Sequence, residues 1–226
     1  TTGIPLNRAL FVDSILKRSD GVRFDRDEGF RSIIRQFDSI ADADFVEPES
    51  LRGVLRPYQR EGFKWLSTLA NLGFGAILAD DMGLGKTLQM IAFLLSRHEA
   101  GFELPNLVVC PASLVYNWMS ELSRFAPNLR CCAVVGPQNQ RRQIIACSRG
   151  YDVLVTSYEL LKRDIDAYAT QKFSCQVLDE AQYIKNASTQ AARCTKLVDA
   201  QVRFALTGTP IENRLTELWS IFDYLM

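Results

Sequence analysis

The chain of 226 residues has one histidine, no net charge and no long apolar run. Each absence excludes something. The solitude of His98 removes any histidine-based metal site and any Ser-His-Asp triad. His98 follows Arg97 near the end of an expected helix and reads as a solvated residue of its last turn. The balance of 26 Lys+Arg against 26 Asp+Glu excludes a protein that holds nucleic acid by bulk positive charge, and 47% hydrophobic residues exclude a highly charged disordered chain. The longest apolar runs, Phe74 to Ala79 and Ile91 to Leu95, fall far short of the roughly 18 residues that span a bilayer, so no membrane partner is expected. The six cysteines (Cys110, Cys131, Cys132, Cys147, Cys175 and Cys194) show no Cys-x-x-Cys spacing and read as structural thiols of an intracellular protein. Thr1-Thr2-Gly3-Ile4-Pro5 contains neither an initiator Met nor the features of a signal peptide, so the chain reads as an excerpt of a longer one.

Two regions emerge. Residues 1–50 hold seven basic and ten acidic residues, a balance of −3, which leaves +3 for residues 51–226. Helical periodicity runs through Leu6, Leu10, Phe11 and Leu16, and again through Phe30, Ile33, Ile34, Phe37 and Ile40. The Ser19-Asp20-Gly21 turn separates them, and residues 41–50 read as an acidic linker. Residues 1–50 are therefore expected to be the helical tail of an upstream accessory region. From residue 51 onward, short apolar strands alternate with amphipathic helices. The strands are expected at Ala76 to Ala79, Leu107 to Cys110, Ala133 to Val135, Val153 to Thr156, Cys175 to Leu178 and Val202 to Leu206, with helices such as Leu88 to Leu95 and Leu114 to Phe125 between them. This pattern predicts an α/β fold whose mainly parallel sheet is covered by helices on both faces, with ligands at the carboxyl ends of the strands.

Chemistry concentrates at those ends. After the first strand comes Asp80-Asp81-Met82-Gly83-Leu84-Gly85-Lys86-Thr87, followed at once by an amphipathic helix. Gly83 and Gly85 let the backbone turn tightly and aim its N–H groups at phosphate oxygens. Lys86 would reach the β/γ-phosphates and the Thr87 hydroxyl would ligate Mg²⁺. The strict phosphate-loop pattern has glycine where this chain has Asp80. Asp179-Glu180-Ala181-Gln182 follows another strand: the Asp suits a Mg²⁺ ligand and the Glu an activator of the attacking water. Gln59 lies 27 residues before Lys86, and its amide can pair with the N6/N7 edge of adenine. Tyr58 or Arg56 could cover the ring. Thr207-Gly208-Thr209 follows the last strand, placed to sense a γ-phosphate.

Taken in order, these clusters resemble the first RecA-like lobe of superfamily-two helicases, and within it the Swi/Snf-type ATPases. Leu55 to Gln59 is similar to that family's adenine-sensing motif, Asp80 to Thr87 to motif I and Asp179 to Gln182 to motif II. Val109 to Trp118 resembles motif Ia, Thr156 to Glu159 motif Ib, and Leu206 to Asn213 motif III. The family's loop carries the Asp found at position 80, and Gln182, where many relatives carry His, resembles the bacterial branch.

The resemblance spans residues 51–226 and implies the helicase ATP-binding domain, with ATP and Mg²⁺ as ligands. Lys86, Asp179 and Glu180 would be catalytic. Arg56, Tyr58, Gln59 and Asp80 to Thr87 would bind ATP, Thr87 and Asp179 the metal. Gln182, Thr207, Gly208 and Thr209 would couple the nucleotide state to movement. Motifs Ia and Ib imply that Ser113, Asn117, Thr156 and Ser157 touch the phosphates of duplex DNA; their alternative is a cap or turn role. Lys185 and Asn186 are further backbone contacts or solvated surface residues. A second RecA-like lobe with arginine fingers is the expected partner, without which turnover should be very slow. A strand-separating helicase and an inactive scaffold are the alternatives. The expected location is bacterial cytoplasm at the nucleoid, or the nucleus of a eukaryote.

Overall fold

The computed structural model describes residues 28–29, 45–209 and 215–226. The two helical patterns expected within residues 1–40, and Ile211-Glu212-Asn213, lie outside the described residues apart from that pair. Pro57–Asn71 (α1), Ala76–Leu78 (β1), Lys86–Glu99 (α2), Asn106–Cys110 (β2), Val115–Phe125 (α3) and Cys131–Ala133 (β3) come first. Gln138–Ala146 (α4), Val153–Ser157 (β4), Tyr158–Arg163 (α5), Ile165–Tyr168 (α6), Lys172–Leu178 (β5), Gln190–Lys196 (α7), Asp199–Leu206 (β6) and Leu215–Leu225 (α8) follow.

The strands form one sheet in the order β1-β6-β5-β2-β4-β3, and every neighbouring pair is parallel. Parallel neighbours require crossovers, and the helices supply them on both faces. β2 and β4 are buried at every residue, which is why Leu107 to Cys110 and Val153 to Val155 are apolar without alternation. On one face Phe63, Leu66, Phe93, Trp118 and Leu122 of α1, α2 and α3 pack on Val108, Val155, Val177 and Phe204. On the other, Leu161, Ala192, Ile221 and Tyr224 of α5, α7 and α8 pack on Leu107, Val109, Leu154 and Ala205. The Phe93 and Phe204 rings meet edge to face at 5.1 Å.

β1, β2 and β4 differ from expectation by one residue at one end, and the other three by more. β3 runs from Cys131 to Ala133, not from Ala133 to Val135, because Cys131 pairs with Val153 at the start of β4. β5 and β6 begin earlier, at Lys172 and Asp199, where ladder bonding rather than apolar content extends them. The two polar interruptions of β5 are interior. Ser174 accepts from the Arg97 guanidinium at 2.6 Å, and Gln176 is fully buried with neither amide atom paired among the described residues.

Candidate active site

Three loops meet at the carboxyl ends of adjacent strands. β6 lies between β1 and β5, so the loops after Leu78, Leu178 and Leu206 are neighbours although far apart in sequence. The Thr207 N–H donates to the Leu78 carbonyl at 3.2 Å and joins two of them. Gly83 and Gly85 sit at φ of 84° and 76°, the left-handed region that side chains avoid, and α2 starts directly after Gly85. Conformation favours glycine at 85, and a Cβ built there would also lie 2.4 Å from the Gln59 amide nitrogen and displace it.

Lys86 Nζ donates to the Asp80 and Asp81 carbonyls at 2.7 and 3.1 Å, folded into the loop. A Cβ on Gly208 would lie 3.0 Å from Met82 Cγ and 3.9 Å from Lys86 Nζ, which brings the last loop against the first. A glycine-lined cradle, an ammonium inside it and two facing carboxylates form a donor set that fits a nucleotide triphosphate with Mg²⁺. Thr87 and Asp179 would hold the ion.

Asp179 is the most constrained of the acids. It is buried; its Oδ1 accepts from the Glu180 N–H at 2.9 Å and its Oδ2 from the Trp118 indole N–H at 2.8 Å. Burial pushes its carboxyl above the usual range, and these two donors and Lys86 hold it back. Its carbonyl accepts from the buried Tyr158 hydroxyl at 2.9 Å, and the Tyr158 ring stacks on Tyr183 at 5.0 Å. Glu180 adopts φ 51°, and no other non-glycine residue with positive φ occurs among the described residues. Such a conformation costs on the order of 1–3 kcal/mol and persists only where neighbours enforce it.

From Glu180 a chain of bonds crosses to β6. The Gln182 amide donates to Glu180 Oε2 at 2.7 Å, the Thr207 hydroxyl donates to Gln182 Oε1 at 3.0 Å, and the Thr209 N–H donates to Thr207 Oγ1 at 3.1 Å. All four residues expected to couple nucleotide state to movement therefore lie within this cluster, Gly208 through its approach to Met82.

The adenine-side residues hold the loop from behind. Gln59 accepts from the Arg56 N–H at 3.0 Å and donates to the Leu84 carbonyl at 3.0 Å, which also accepts from the Tyr58 hydroxyl at 3.1 Å. Gln59 and Tyr58 thus brace the phosphate loop in this arrangement, while Arg56 is exposed.

The residues expected on DNA divide. Ser113, between β2 and α3, and Asn117, in the first turn of α3, are exposed, Asn186 is exposed and Lys185 half-buried. Thr156 and Ser157 differ from expectation. Thr156 is fully buried and donates to the Val134 carbonyl at 3.3 Å, while Ser157 is buried and caps α5 by accepting from the Leu160 N–H at 3.2 Å. Both hydroxyls thus take the cap or internal role that was the alternative to phosphate contact.

Trp118, Tyr158 and Gln89 lie at the site without a role read from sequence. For Trp118 a signal exists. Val115, Trp118 and Leu122 form the buried face of α3, and a buried indole N–H needs an acceptor. Gln89 donates to Asp80 Oδ2 at 2.9 Å.

Comparison with known proteins follows the same residues. Residues 58–226 match the family described as the SNF2-related domain. The chain is 43% identical over 208 residues to YwqA of Bacillus subtilis, named an ATP-dependent helicase/translocase, covering 91% of this chain and 23% of that protein. It is 41% identical over 194 residues to the TATA-binding protein-associated factor mot1 of Schizosaccharomyces pombe, covering 80% of this chain and 10% of the relative. The chain thus spans under a quarter of these relatives' lengths. Among solved structures it is similar to the Sulfolobus solfataricus SWI2/SNF2 ATPase core in complex with dsDNA. That match has a TM-score of 0.74 and 43% identity, and covers 81% of this chain and 38% of that one.

Proposed function

The chain belongs to the SNF2-related domain family of ATPases, and we propose that it is the nucleotide-binding lobe of a motor that hydrolyses ATP to move along duplex DNA and remodel protein–DNA complexes. The observation that carries this reading is the bonded path Glu180–Gln182–Thr207–Thr209 beside Lys86 and Asp179. It joins the carboxylate suited to activating water to the loop that lies against the phosphate cradle. Lys86 would leave the Asp80 and Asp81 carbonyls for phosphate oxygens, and Glu180 would accept the proton of the attacking water. Magnesium, when bound, would neutralise charge developing on the phosphates.

In this reading the two ligands would lie side by side along one edge of the sheet. Nucleotide loops occupy the ends of β1, β6 and β5, and exposed Ser113 and Asn117 stand at the end of the adjoining β2, where hydroxyl and amide groups suit DNA phosphates. Lys185 and Asn186 extend that side beyond β5. The proposal includes a second RecA-like lobe with arginine fingers, which in other NTPases contribute about 10³ to 10⁵ in rate. The isolated chain would then hydrolyse ATP very slowly and bind DNA weakly. A protein acting on duplex DNA would reside at the bacterial nucleoid or in a nucleus, and residues 1–50 would belong to an upstream accessory region.

The test is ATPase activity of the full-length protein with duplex DNA, single-stranded DNA or RNA, across salt concentrations. Stimulation by duplex, falling steeply with salt, is expected. Stimulation by RNA alone, or separation of strands, would overturn the reading.

A further inference from the structure

Trp118 occupies a position that packing alone does not explain. It lies in the first turn of α3 and is fully buried, yet its one polar atom is spent on the acid just past the end of β5, the strand beside β2. With Glu180 N–H on Oδ1 and Trp118 Nε1–H on Oδ2, the Asp179 carboxylate is gripped at both oxygens and cannot turn about its Cβ–Cγ bond. A carboxylate has about four lone-pair directions, so each oxygen keeps one for a metal ion or its water. The same helical turn faces solvent on its other side. Tyr116 is 68% exposed and Asn117 is exposed, with Ser113 just before them.

We infer that Trp118 is a positioning residue: its indole N–H fixes the Asp179 carboxylate for the metal of the nucleotide, and it transmits to that carboxylate any shift of the amino end of α3. The second half rests on the proposed function, since it takes duplex DNA as the ligand that loads Ser113 and Asn117. Outer hydrogen-bond partners of ligating carboxylates typically matter by about 10–100-fold in metal affinity or activity. The coupling is reciprocal by linkage: if DNA tightens the metal–nucleotide complex through this bond, the nucleotide tightens DNA equally.

The experiment uses the full-length protein with Mn²⁺ and ATPγS as probes. Trp118→Phe removes the N–H and keeps an aromatic ring; Leu122→Val perturbs the same buried face without touching the bond. Affinity for Mn²⁺ in the nucleotide complex is read by electron paramagnetic resonance. ATPγS affinity is read with Mn²⁺ and with EDTA, each with and without duplex DNA. In Trp118→Phe, Mn²⁺ affinity should fall about tenfold or more while metal-free nucleotide affinity stays unchanged, and the effect of DNA on ATPγS affinity should disappear. Leu122→Val should retain wild-type values. Wild-type Mn²⁺ affinity in a folded Trp118→Phe protein, or equal losses in both variants, would overturn the inference. Should Trp118→Phe not fold, benzothienylalanine placed at position 118 keeps the bicyclic shape without the N–H and must give the same loss. Absence of duplex-stimulated turnover in the wild type would instead count against the proposed function, and the Mn²⁺ measurement would still decide the role of the indole.

Discussion

The side chains of Asp80 and Gln89 are bonded to each other across 2.9 Å, from the first turn of α2 back to the start of the phosphate loop. This bond gives a physical reason for an aspartate where the strict loop pattern has glycine. Gln89 is 1% exposed and its Oε1 has no partner among the described residues, so Asp80 satisfies half of a buried amide while its carbonyl receives Lys86. Asp80→Ala should therefore lower stability by about 1–3 kcal/mol, the cost of stranding a buried donor, whereas Asp80→Asn keeps an acceptor and should stay near wild type. Urea denaturation of the three proteins side by side measures the difference.

Separating nucleotide binding from hydrolysis is the next expectation. Glu180→Gln keeps an acceptor for the Gln182 amide, so the bonded path to Thr207 survives while the base is lost. In the full-length protein it should bind ATP like the wild type and turn over about 10²–10⁴-fold more slowly. Lys86→Ala should weaken ATP binding as well. Normal turnover by Glu180→Gln, in a steady-state phosphate-release assay, would remove Glu180 from the role of base.

A buried ion pair outside the nucleotide loops should be costly to break. Arg141 of α4 and Asp164, between α5 and α6, are 5% and 1% exposed; their second bond measures 3.0 Å, and the guanidinium also reaches the Gly136 carbonyl. Asp164→Ala leaves a buried cation without its partner and should cost about 3–5 kcal/mol. The paired change Arg141→Met with Asp164→Leu should recover most of that loss. Thermal midpoints of the single and double variants decide this, and a single variant as stable as the wild type would refute it.

Thiol reactivity should follow burial. Burial pushes the Cys110 thiol up to about 12, helped by the Asp179 charge. Cys131 and Cys175 are likewise pushed up to about 12, and Cys147 is exposed. Because thiolate is the nucleophile and a raised pKa leaves less of it, iodoacetamide near pH 7.5 should label Cys147 first. Cys110, Cys131 and Cys175 should react only after unfolding, or as the pH approaches 12. Peptide mass spectrometry over time would show the order, and rapid labelling of Cys110 in the folded protein would contradict it.

The architecture was open to sequence reading where burial is two-sided. β2 and β4 announce themselves by the apolar runs Leu107 to Cys110 and Val153 to Val155, and Gly85-Lys86-Thr87 stands between an apolar strand and an amphipathic helix. Elements defined by hydrogen bonding were less visible. Cys131 to Ala133 is a half-buried edge strand without periodicity, and the polar starts of β5 and β6 belong to strands only because their neighbours pair with them. Hydroxyls were ambiguous for a different reason. A Ser or Thr at a strand end serves equally as cap, internal donor or ligand, and Ser157 and Thr156 took the first two roles. Gln59 and Trp118 depend on distant partners, Leu84 and Asp179, that only the folded arrangement brings near.

The place of β6 between β1 and β5 also sets a timetable. Ala76 pairs with Phe204, so the strand that carries the phosphate loop waits for nearly the last part of the sheet before it has a neighbour. Contacts this remote in sequence are slow to form, and a chain emerging from its amino end would expose β1 and its apolar residues until residue 206 is made. Completion of the nucleotide site and completion of the sheet are then a single event in folding, and a nascent chain ending before β6 would be a substrate for chaperones.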